Sequence, residues 1–242
     1  MSVALTFHRI TNKENLTYED ISIEKFTFIL NEIHDLCLSL EQINNRDYKD
    51  NSWLLTFDDG FSSNVDIVLP LLKKYKISAI FFITTAFVGM PNYMTWEQIR
   101  YLSDCGMVIG SHSVNHSDMK SITKSERITE FETSCSIIET QISKKVKMFS
   151  FPYGRFNSSI ANEAFEAGYE YCFTSIPGVL NKNDKIIPRI SLNGKTSKEE
   201  IFKLLDQKNN HYQKQLLLYY IKDFAKNSIG MKNYWQIRNL FT

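Results

Sequence analysis

The sequence has few cysteines and no long apolar run. Four cysteines lie far apart in 242 residues without CxxC spacing, so a cysteine metal site or redox pair is not indicated. We expect all four to be reduced core residues: Cys37, Cys105, Cys135 and Cys172. No run reaches the roughly 18 apolar residues that a membrane span needs. The N-terminus does not resemble a signal peptide, so we expect a cytoplasmic protein.

The chain also lacks a strong net charge of either sign. Its 28 Lys and Arg residues and 27 Asp and Glu residues give a formal net charge of +1. A nucleic acid partner normally demands clustered excess Lys and Arg, so nucleic acid binding is not indicated. There is no internal repeat, low-complexity tract or long linker. We expect one main domain over residues 1–196 and a helical appendage over 197–242, packed on that domain.

Short apolar runs alternate with helical patterns through the main domain. The predicted strands are Val3–Phe7, Trp53–Phe57, Ile77–Ile83, Met107–Gly110, Val146–Phe151 and Tyr171–Thr174. The predicted helices cover 26–36, 65–75, about 124–143 and 158–167, and one that starts at a Thr95–Gln98 capping box and ends at Gly106. Repeated βα units predict an α/β fold with a mainly parallel sheet, either closed as a barrel or open.

Two adjacent acids follow the second predicted strand, in the sequence Thr-Phe-Asp-Asp-Gly. The carboxyl ends of strands are where βα proteins place their sites. Neighbouring side chains there point in different directions, so one of Asp58 and Asp59 can bind a metal while the other acts on a water molecule. The alternative interpretation is a helix N-cap or a turn.

Two histidines follow the strand Met107–Gly110. His112 and His116 can converge on one ion if the segment coils, and a carboxylate from another strand would complete a His₂Asp site. A lone histidine is more often a packing or surface residue, but two of only five histidines lie together here. The segment Pro152–Gly154 follows the predicted strand Val146–Phe151. Its turn either directs a backbone N–H at a ligand or is a plain turn without a functional role.

Together the Thr-Phe-Asp-Asp-Gly and His-Ser-x-x-His motifs resemble the polysaccharide deacetylase family, with its NodB homology domain (carbohydrate esterase family 4). The resemblance covers roughly residues 1–195. It implies a distorted (β/α)₇ barrel and one divalent metal ion. Zn is the expected ion, with Co, Ni, Fe or Mn as alternatives. The implied roles are metal ligation by Asp59, His112 and His116, a general base in Asp58, and an oxyanion donor in the backbone N–H of Tyr153.

The chain departs from the common family pattern in two places. Ser150 and Phe151 replace the region where many members carry an arginine, and the only late histidine, His211, lies in the helical tail. His8, at the end of the first strand, is similar to the acid of a circularly permuted branch that includes poly-glucosamine deacetylases. This implies His8 as general acid, with a capping or packing role as the alternative. Arg189 is a candidate to replace the missing arginine and orient the base, unless it forms a structural salt bridge.

The resemblance implies a hydrolase that removes an N-acyl group, with acetyl expected, from an amino sugar in surface-glycan biosynthesis. The alternatives are a deformylase or other small-amide hydrolase, and a catalytically silent glycan-binding domain, against which the retained acids and histidines argue. The expected partner is an N-acylated sugar, free or linked to a nucleotide or lipid. The aromatic and basic tail after Ser197 either contacts a membrane or partner, or packs on the barrel or in a dimer, which is the simpler interpretation.

Overall fold

The structure of the chain is a computed structural model that describes residues 2–13, 16–17, 20–48, 51–205 and 211–229. The strands are β1 (Val3–Phe7), β2 (Arg9–Thr11), β3 (Asp20–Ser22), β4 (Trp53–Phe57), β5 (Ala79–Ile83), β6 (Val108–Ser111), β7 (Met148–Ser150), β8 (Tyr171–Phe173), β9 (Ile186–Ile187) and β10 (Ile190–Ser191). The α-helices are α1 (Ile23–Ile33), α2 (Leu40–Asn45), α3 (Leu69–Tyr75), α4 (Trp96–Asp104), α5 (Lys124–Ile142), α6 (Ser158–Glu166), α7 (Lys198–Leu205) and α8 (His211–Ile229). Within these described ranges, no helix has the length and apolar character needed to cross a membrane.

Eight strands form one parallel sheet in the order β10-β1-β4-β5-β6-β7-β8-β9. β9 and β10 lie at opposite edges, yet only Pro188 and Arg189 separate them in the sequence. Three residue steps span at most about 11 Å, so the two edges lie close together. The sheet is therefore a curled, distorted barrel, and β9 and β10 share its seventh strand position. This confirms the expected fold class.

The central strands alternate between two apolar clusters. Leu5 and Leu55 pack with the surrounding helices in the larger cluster, whereas Ala4 and Leu54 belong to a smaller cluster inside the curled sheet. Alternation with a period of two leaves both faces of the sheet apolar, as a parallel sheet covered by helices requires. Of the four cysteines, all free, Cys172 is buried and the others are half-buried.

The interior of the barrel becomes polar toward the carboxyl ends of the strands. Thr56 follows Leu54 on the inner face and Ser150 follows Met148, and both hydroxyl side chains are fully buried. Their small size leaves room at this end of the barrel for a larger polar group. The guanidinium of Arg189 occupies that space, with its central carbon 5.4 Å from the ring centroid of Phe82.

The predicted elements agree with the structure in type and differ at their ends. β1 and β4 have the predicted bounds, and the Thr95–Gln98 capping box precedes α4. The predicted strand Ile77–Ile83 is shortened to β5, because Lys76 ends α3 in the left-handed conformation and the Ile77 N–H still donates to Leu72. β2, β3, β9 and β10 were not predicted, since two or three residues are too few to show a period.

The two C-terminal helices differ in how they pack. Ile201 and Leu204 of α7 are buried in the larger cluster, and the ring of Phe202 lies 4.9 Å from that of Phe28. The side chains described on α8 are exposed or half-buried. The part of the predicted aromatic stripe at 234–241 lies outside the described residues. The domain boundary at residue 197 stays a prediction.

Candidate active site

The carboxyl end of the sheet brings the predicted motifs together around one cleft of about 600 Å³. The parallel register fixes their positions: the Asp58 N–H donates to the Phe7 carbonyl at 2.9 Å, and the His112 N–H donates to the Ile83 carbonyl at 2.8 Å. The cleft is lined by residues from each predicted motif, namely His8, Asp58, Asp59, His112, His116 and Tyr153.

Asp59, His112 and His116 form a candidate metal site. Oδ1 of Asp59 lies 3.4 Å from Nε2 of His112 and 3.3 Å from Nε2 of His116. The three candidate ligand atoms all lie within 4.8 Å of one another. Two ligands bonded to tetrahedral Zn²⁺ at about 2.0–2.1 Å are separated by roughly 3.3 Å. The observed spacing therefore suits such an ion.

The hydrogen bonds around these residues leave their ligand atoms available for a cation. Nδ1 of His112 donates to the Ser150 carbonyl at 2.7 Å, so a lone pair on Nε2 faces Asp59. Oδ1 of Asp59 is buried and has no hydrogen-bond partner among the described residues. A buried lone pair facing a buried carboxylate oxygen is unfavourable without a positive charge between them. The residues thus fit a divalent ion.

The two histidines differ in their acid–base behaviour. Burial and the neighbouring His112 lower the pKa of His116 to about 4, which keeps its imidazole neutral as metal ligation requires. Burial also disfavours the charged form of His112, but the carboxylates of Asp58 and Asp59 outweigh that effect and raise its pKa. Protons and a metal ion would therefore compete for this carboxylate-rich end of the candidate site.

The segment between the two histidines has an unusual backbone conformation. Ser113 and His116 have φ values of 69° and 56°, in the left-handed region that costs a non-glycine residue about 1–3 kcal/mol. Glu130, a buried residue of α5, supports this segment by accepting hydrogen bonds from the N–H groups of Val114 at 2.8 Å and Asn115 at 3.0 Å. Sequence analysis missed Glu130, because one acid in a polar helix carries no signal that it points inward.

Asp58 is paired with Arg189, which lies between β9 and β10. Nη1 and Nη2 of Arg189 donate to the two carboxylate oxygens of Asp58, both at 2.8 Å. Nη1 also donates to Thr56 at 3.0 Å, Nη2 to the hydroxyl of Ser150 at 2.8 Å, and Nε to the Thr174 carbonyl at 2.9 Å. A guanidinium has five N–H groups, so this fully buried one is satisfied throughout. The structure thus places Arg189 on the predicted base, in a contact that both pairs and orients it.

Asp58 is held in its ionised form. Burial by itself raises the pKa of Asp58, but the charges of Arg189 and His112 and the hydrogen bonds from Arg189 outweigh burial and hold that pKa below its ordinary value. Oδ2 of Asp58 lies 3.9 Å from Nε2 of His112, farther than Asp59 does, so Asp58 faces the metal site from one side. Ser150 stands in the region where many family members carry an arginine, and its small side chain leaves space for Arg189 from the link between β9 and β10.

His8 lies beside these groups at the end of β1. Its ring is half-buried, and Nδ1 is buried with no hydrogen-bond partner in the part of the chain that the structure describes. It lines the same cleft as Asp58, Asp59 and His116. The position is open to a substrate, and the role of His8 as an acid stays a prediction.

A strained turn places Tyr153 in the lining of the cleft. Tyr153 has φ of 58°, and its ring meets that of His116 edge to face with centroids 4.5 Å apart. Gly154 has φ of +65°, and a Cβ there would lie 2.7 Å from Ser175, so the turn requires glycine.

One wall of the cleft comes from α8, which the sequence analysis did not include in the site. Its contribution to the lining is Lys214, Gln215, Leu218, Tyr219 and Lys226. The segment before α7 adds polar groups, including Asn193, Lys195 and Thr196. These residues form no motif, so only the folded arrangement reveals them. The predicted appendage therefore contributes to the cleft itself.

A family model described as polysaccharide deacetylase matches residues 45–172, more than half of the chain. The chain belongs to the polysaccharide deacetylase family. The match contains both acids and both histidines of the candidate site, and it confirms the resemblance drawn from their motifs. His8 and Arg189 lie outside the matched range.

Relatives and solved structures agree with this family. The peptidoglycan-N-acetylmuramic acid deacetylase PdaA of Bacillus subtilis (strain 168) is 29% identical over 131 residues, covering 53% of this chain and 48% of PdaA. A poly-beta-1,6-N-acetyl-D-glucosamine N-deacetylase of Staphylococcus aureus (strain MRSA252) is 26% identical over 158 residues, and the match covers 59% of this chain and 54% of that protein. The chain spans about half the length of the curated relatives it matches. The Streptococcus pyogenes deacetylase PplD, solved in complex with acetate, shares the fold with a TM-score of 0.72 at 22% identity, covering 84% of this chain and 97% of that chain.

Proposed function

We propose that this protein is a metal-dependent hydrolase that removes the N-acetyl group from an amino sugar during surface-glycan synthesis. The observation that carries the proposal is the candidate metal site of Asp59, His112 and His116 beside a carboxylate, Asp58, that Arg189 orients. Relatives named as deacetylases of N-acetylmuramic acid in peptidoglycan and of poly-N-acetyl-D-glucosamine support an N-acetylated amino sugar as substrate.

The chain's own residues account for the proton transfers of amide hydrolysis. Asp59, His112 and His116 would hold a divalent ion, Zn²⁺ by the chemistry of these donors, whose positive charge would polarise the acyl carbonyl and lower the pKa of water. Asp58 accepts a proton from the water that attacks the acyl carbon. Its lowered pKa keeps it ionised at neutral pH, the state that a base needs, and Arg189 prevents its carboxylate from rotating away.

Two further groups complete the reaction. The backbone N–H of Tyr153 donates to the oxygen that becomes negative as water adds, and one such donor typically lowers the barrier by about 3 kcal/mol. As the C–N bond breaks, His8 donates a proton to the nitrogen, so that acetate and a free amine leave. His8 lines the same cleft as the metal residues, which supports this assignment.

The test is a measurement of acid release from a panel of substrates. N-acetylated sugars, oligosaccharides, nucleotide sugars and lipid-linked sugars are each incubated with the metal-loaded protein, alongside N-formylated amides. Acetate from an amino sugar is expected. Formate released from the amides alone would instead identify a small-amide hydrolase, and no release from any substrate by metal-loaded protein would favour a glycan-binding domain.

The base is tested by Asp58→Asn, which preserves shape but accepts no proton. The variant should retain its metal and lose about 10²- to 10⁴-fold in turnover. Asp35→Asn is the matched control, because the side chain of Asp35 is 90% exposed and lies outside the cleft. Near wild-type turnover in Asp58→Asn would assign the base elsewhere.

The cytoplasmic location and the role in surface-glycan synthesis remain proposals. Fractionation of cells that produce the full protein, with immunodetection in each fraction, tests the location. Recovery outside the cytoplasmic and membrane fractions would overturn it.

A further inference from the structure

Helix α8 turns its most apolar face toward solvent. Leu217, Tyr220, Ile221 and Phe224 follow one another at steps of three, one and three residues and therefore share one side of the helix, called here the outer face. These side chains are 61%, 56%, 57% and 74% exposed, in that order. A helix packed on a protein surface normally shows the reverse arrangement, with apolar residues inward and polar residues in water.

The other side of α8 is already occupied by the cleft. Gln215, Tyr219 and Lys226 are half-buried and line it. Rotating the helix to bury its outer face would remove these groups from the cleft wall. The exposure of the outer face is therefore a consequence of how α8 sits on the site, and the face requires an apolar partner from outside the described body of the protein.

The charge distribution indicates the nature of that partner. Residues 206–242 contain six Lys and Arg residues and two Asp and Glu residues, whereas residues 1–205 contain 22 and 25, so the net charges are +4 and −3. Pairing two copies through α8 would bring two positive segments together. Anionic lipid headgroups would neutralise them, while the acyl region accepts the apolar side chains.

We infer that the outer face of α8 binds the surface of an anionic lipid bilayer. A helix of 19 residues is about 28 Å long and lies in the plane of the interface, with its aromatic side chains at headgroup level. The cleft, on the opposite side of the helix, then lies about one helix diameter from the membrane surface. The inference rests on exposure and charge, and it does not depend on the proposed hydrolysis.

Co-sedimentation with lipid vesicles tests the inference without a substrate. Full-length protein is mixed at about 0.15 M salt with vesicles of phosphatidylcholine alone or with about one third phosphatidylglycerol. Binding to the anionic vesicles and little binding to the neutral ones are expected. The variant Leu217→Gln/Ile221→Gln/Phe224→Gln should bind at least about tenfold more weakly, since the affinity of such helices scales with buried apolar area.

The matched control replaces three exposed apolar residues elsewhere, in Leu36→Gln/Met90→Gln/Tyr101→Gln, whose side chains are 48%, 49% and 50% exposed. The control should bind as the wild type does. Circular dichroism confirms that both variants keep their helical content. Wild-type protein that stays in the supernatant with anionic vesicles, or equal binding by the α8 variant, would overturn the inference. So would light scattering that shows a wild-type dimer converted to a monomer by the α8 substitutions, because the outer face would then bind a second copy.

Discussion

Arg189→Met is the substitution that best tests how the site is built. Methionine is apolar and of similar length, so it can occupy the space beside the rings of Phe82 and Phe173, whose centroids lie 5.4 and 5.8 Å from the guanidinium carbon. The change leaves Asp58 buried without its partner. Removing one member of a buried ion pair typically costs about 3–5 kcal/mol. Because most domains are stable by only about 5–15 kcal/mol, we expect a large drop in the free energy of unfolding.

The assay is urea unfolding followed by circular dichroism, with Asp58→Asn and the double variant completing a thermodynamic cycle. Asp58→Asn removes the charge that Arg189 neutralises, so the double variant should be more stable than the sum of the two single effects predicts, by at least about 2 kcal/mol. Lys198→Met is the control. It breaks an exposed pair with Glu24 and should cost less than about 1 kcal/mol.

The reasoning fails if Arg189→Met lowers the free energy of unfolding by less than about 1 kcal/mol, or if the cycle shows no coupling. Either result would mean that the pair orients Asp58 without stabilising the fold.

Three further predictions concern the candidate metal site, the proposed acid and the ion pair of Arg9 and Asp20 between β2 and β3. The double variant His112→Ala/His116→Ala should bind no stoichiometric divalent ion by elemental analysis, and full occupancy would refute the proposed ligands. His8→Ala should keep the metal, lose about 10²- to 10⁴-fold in turnover and remove the alkaline limb of the pH–rate profile, because a general acid must be protonated; an unchanged limb would contradict this. Asp20→Asn should destabilise the protein by about 1.5–3 kcal/mol at pH 7, since its carboxylate accepts from Arg9. Burial opposes the lowering of the Asp20 pKa but does not cancel it. The stabilisation by the ionised Asp20 carboxylate is therefore present above the unfolded pKa of about 3.9, and it is lost as pH falls through the lower folded pKa. In urea unfolding from pH 2 to 7, the free energies of unfolding of the variant and the wild type should converge in acid. A difference that stays constant with pH would contradict a stabilising Arg9–Asp20 pair.

The parts of the site that were predictable are those carried by short segments at strand ends. Asp58, Asp59, His112 and His116 stand in two local motifs, and the strand before each motif has a clear apolar pattern, so their meeting at one edge followed from parallel topology. Arg189 was only a candidate. Its partner is more than a hundred residues away, and nothing near Pro188 shows that the chain crosses from one edge of the sheet to the other there.

The parts that were not predictable depend on tertiary contacts. Glu130 supports the histidine segment from a helix whose sequence looks like any exposed one. The cleft wall from α8 was missed for a related reason: an apolar stripe indicates that a helix packs against something, and here the stripe faces away from the body that the helix contacts. Periodicity reports that a face is apolar but not which way it turns.

β9 and β10 share the seventh strand position of the barrel, and this has a consequence for how the protein folds. β10 pairs with β1 through Leu5 and Ile190, and Arg189 precedes Ile190 directly. Arg189 therefore reaches Asp58, the proposed base, only when the last strand joins the first. Contacts so distant in sequence form late, after local helices and neighbouring strands. A nascent or partly folded chain can therefore contain both acids and both histidines and still lack an oriented base. The proposed hydrolysis would therefore require the finished barrel, and we expect a folding intermediate to lack this activity.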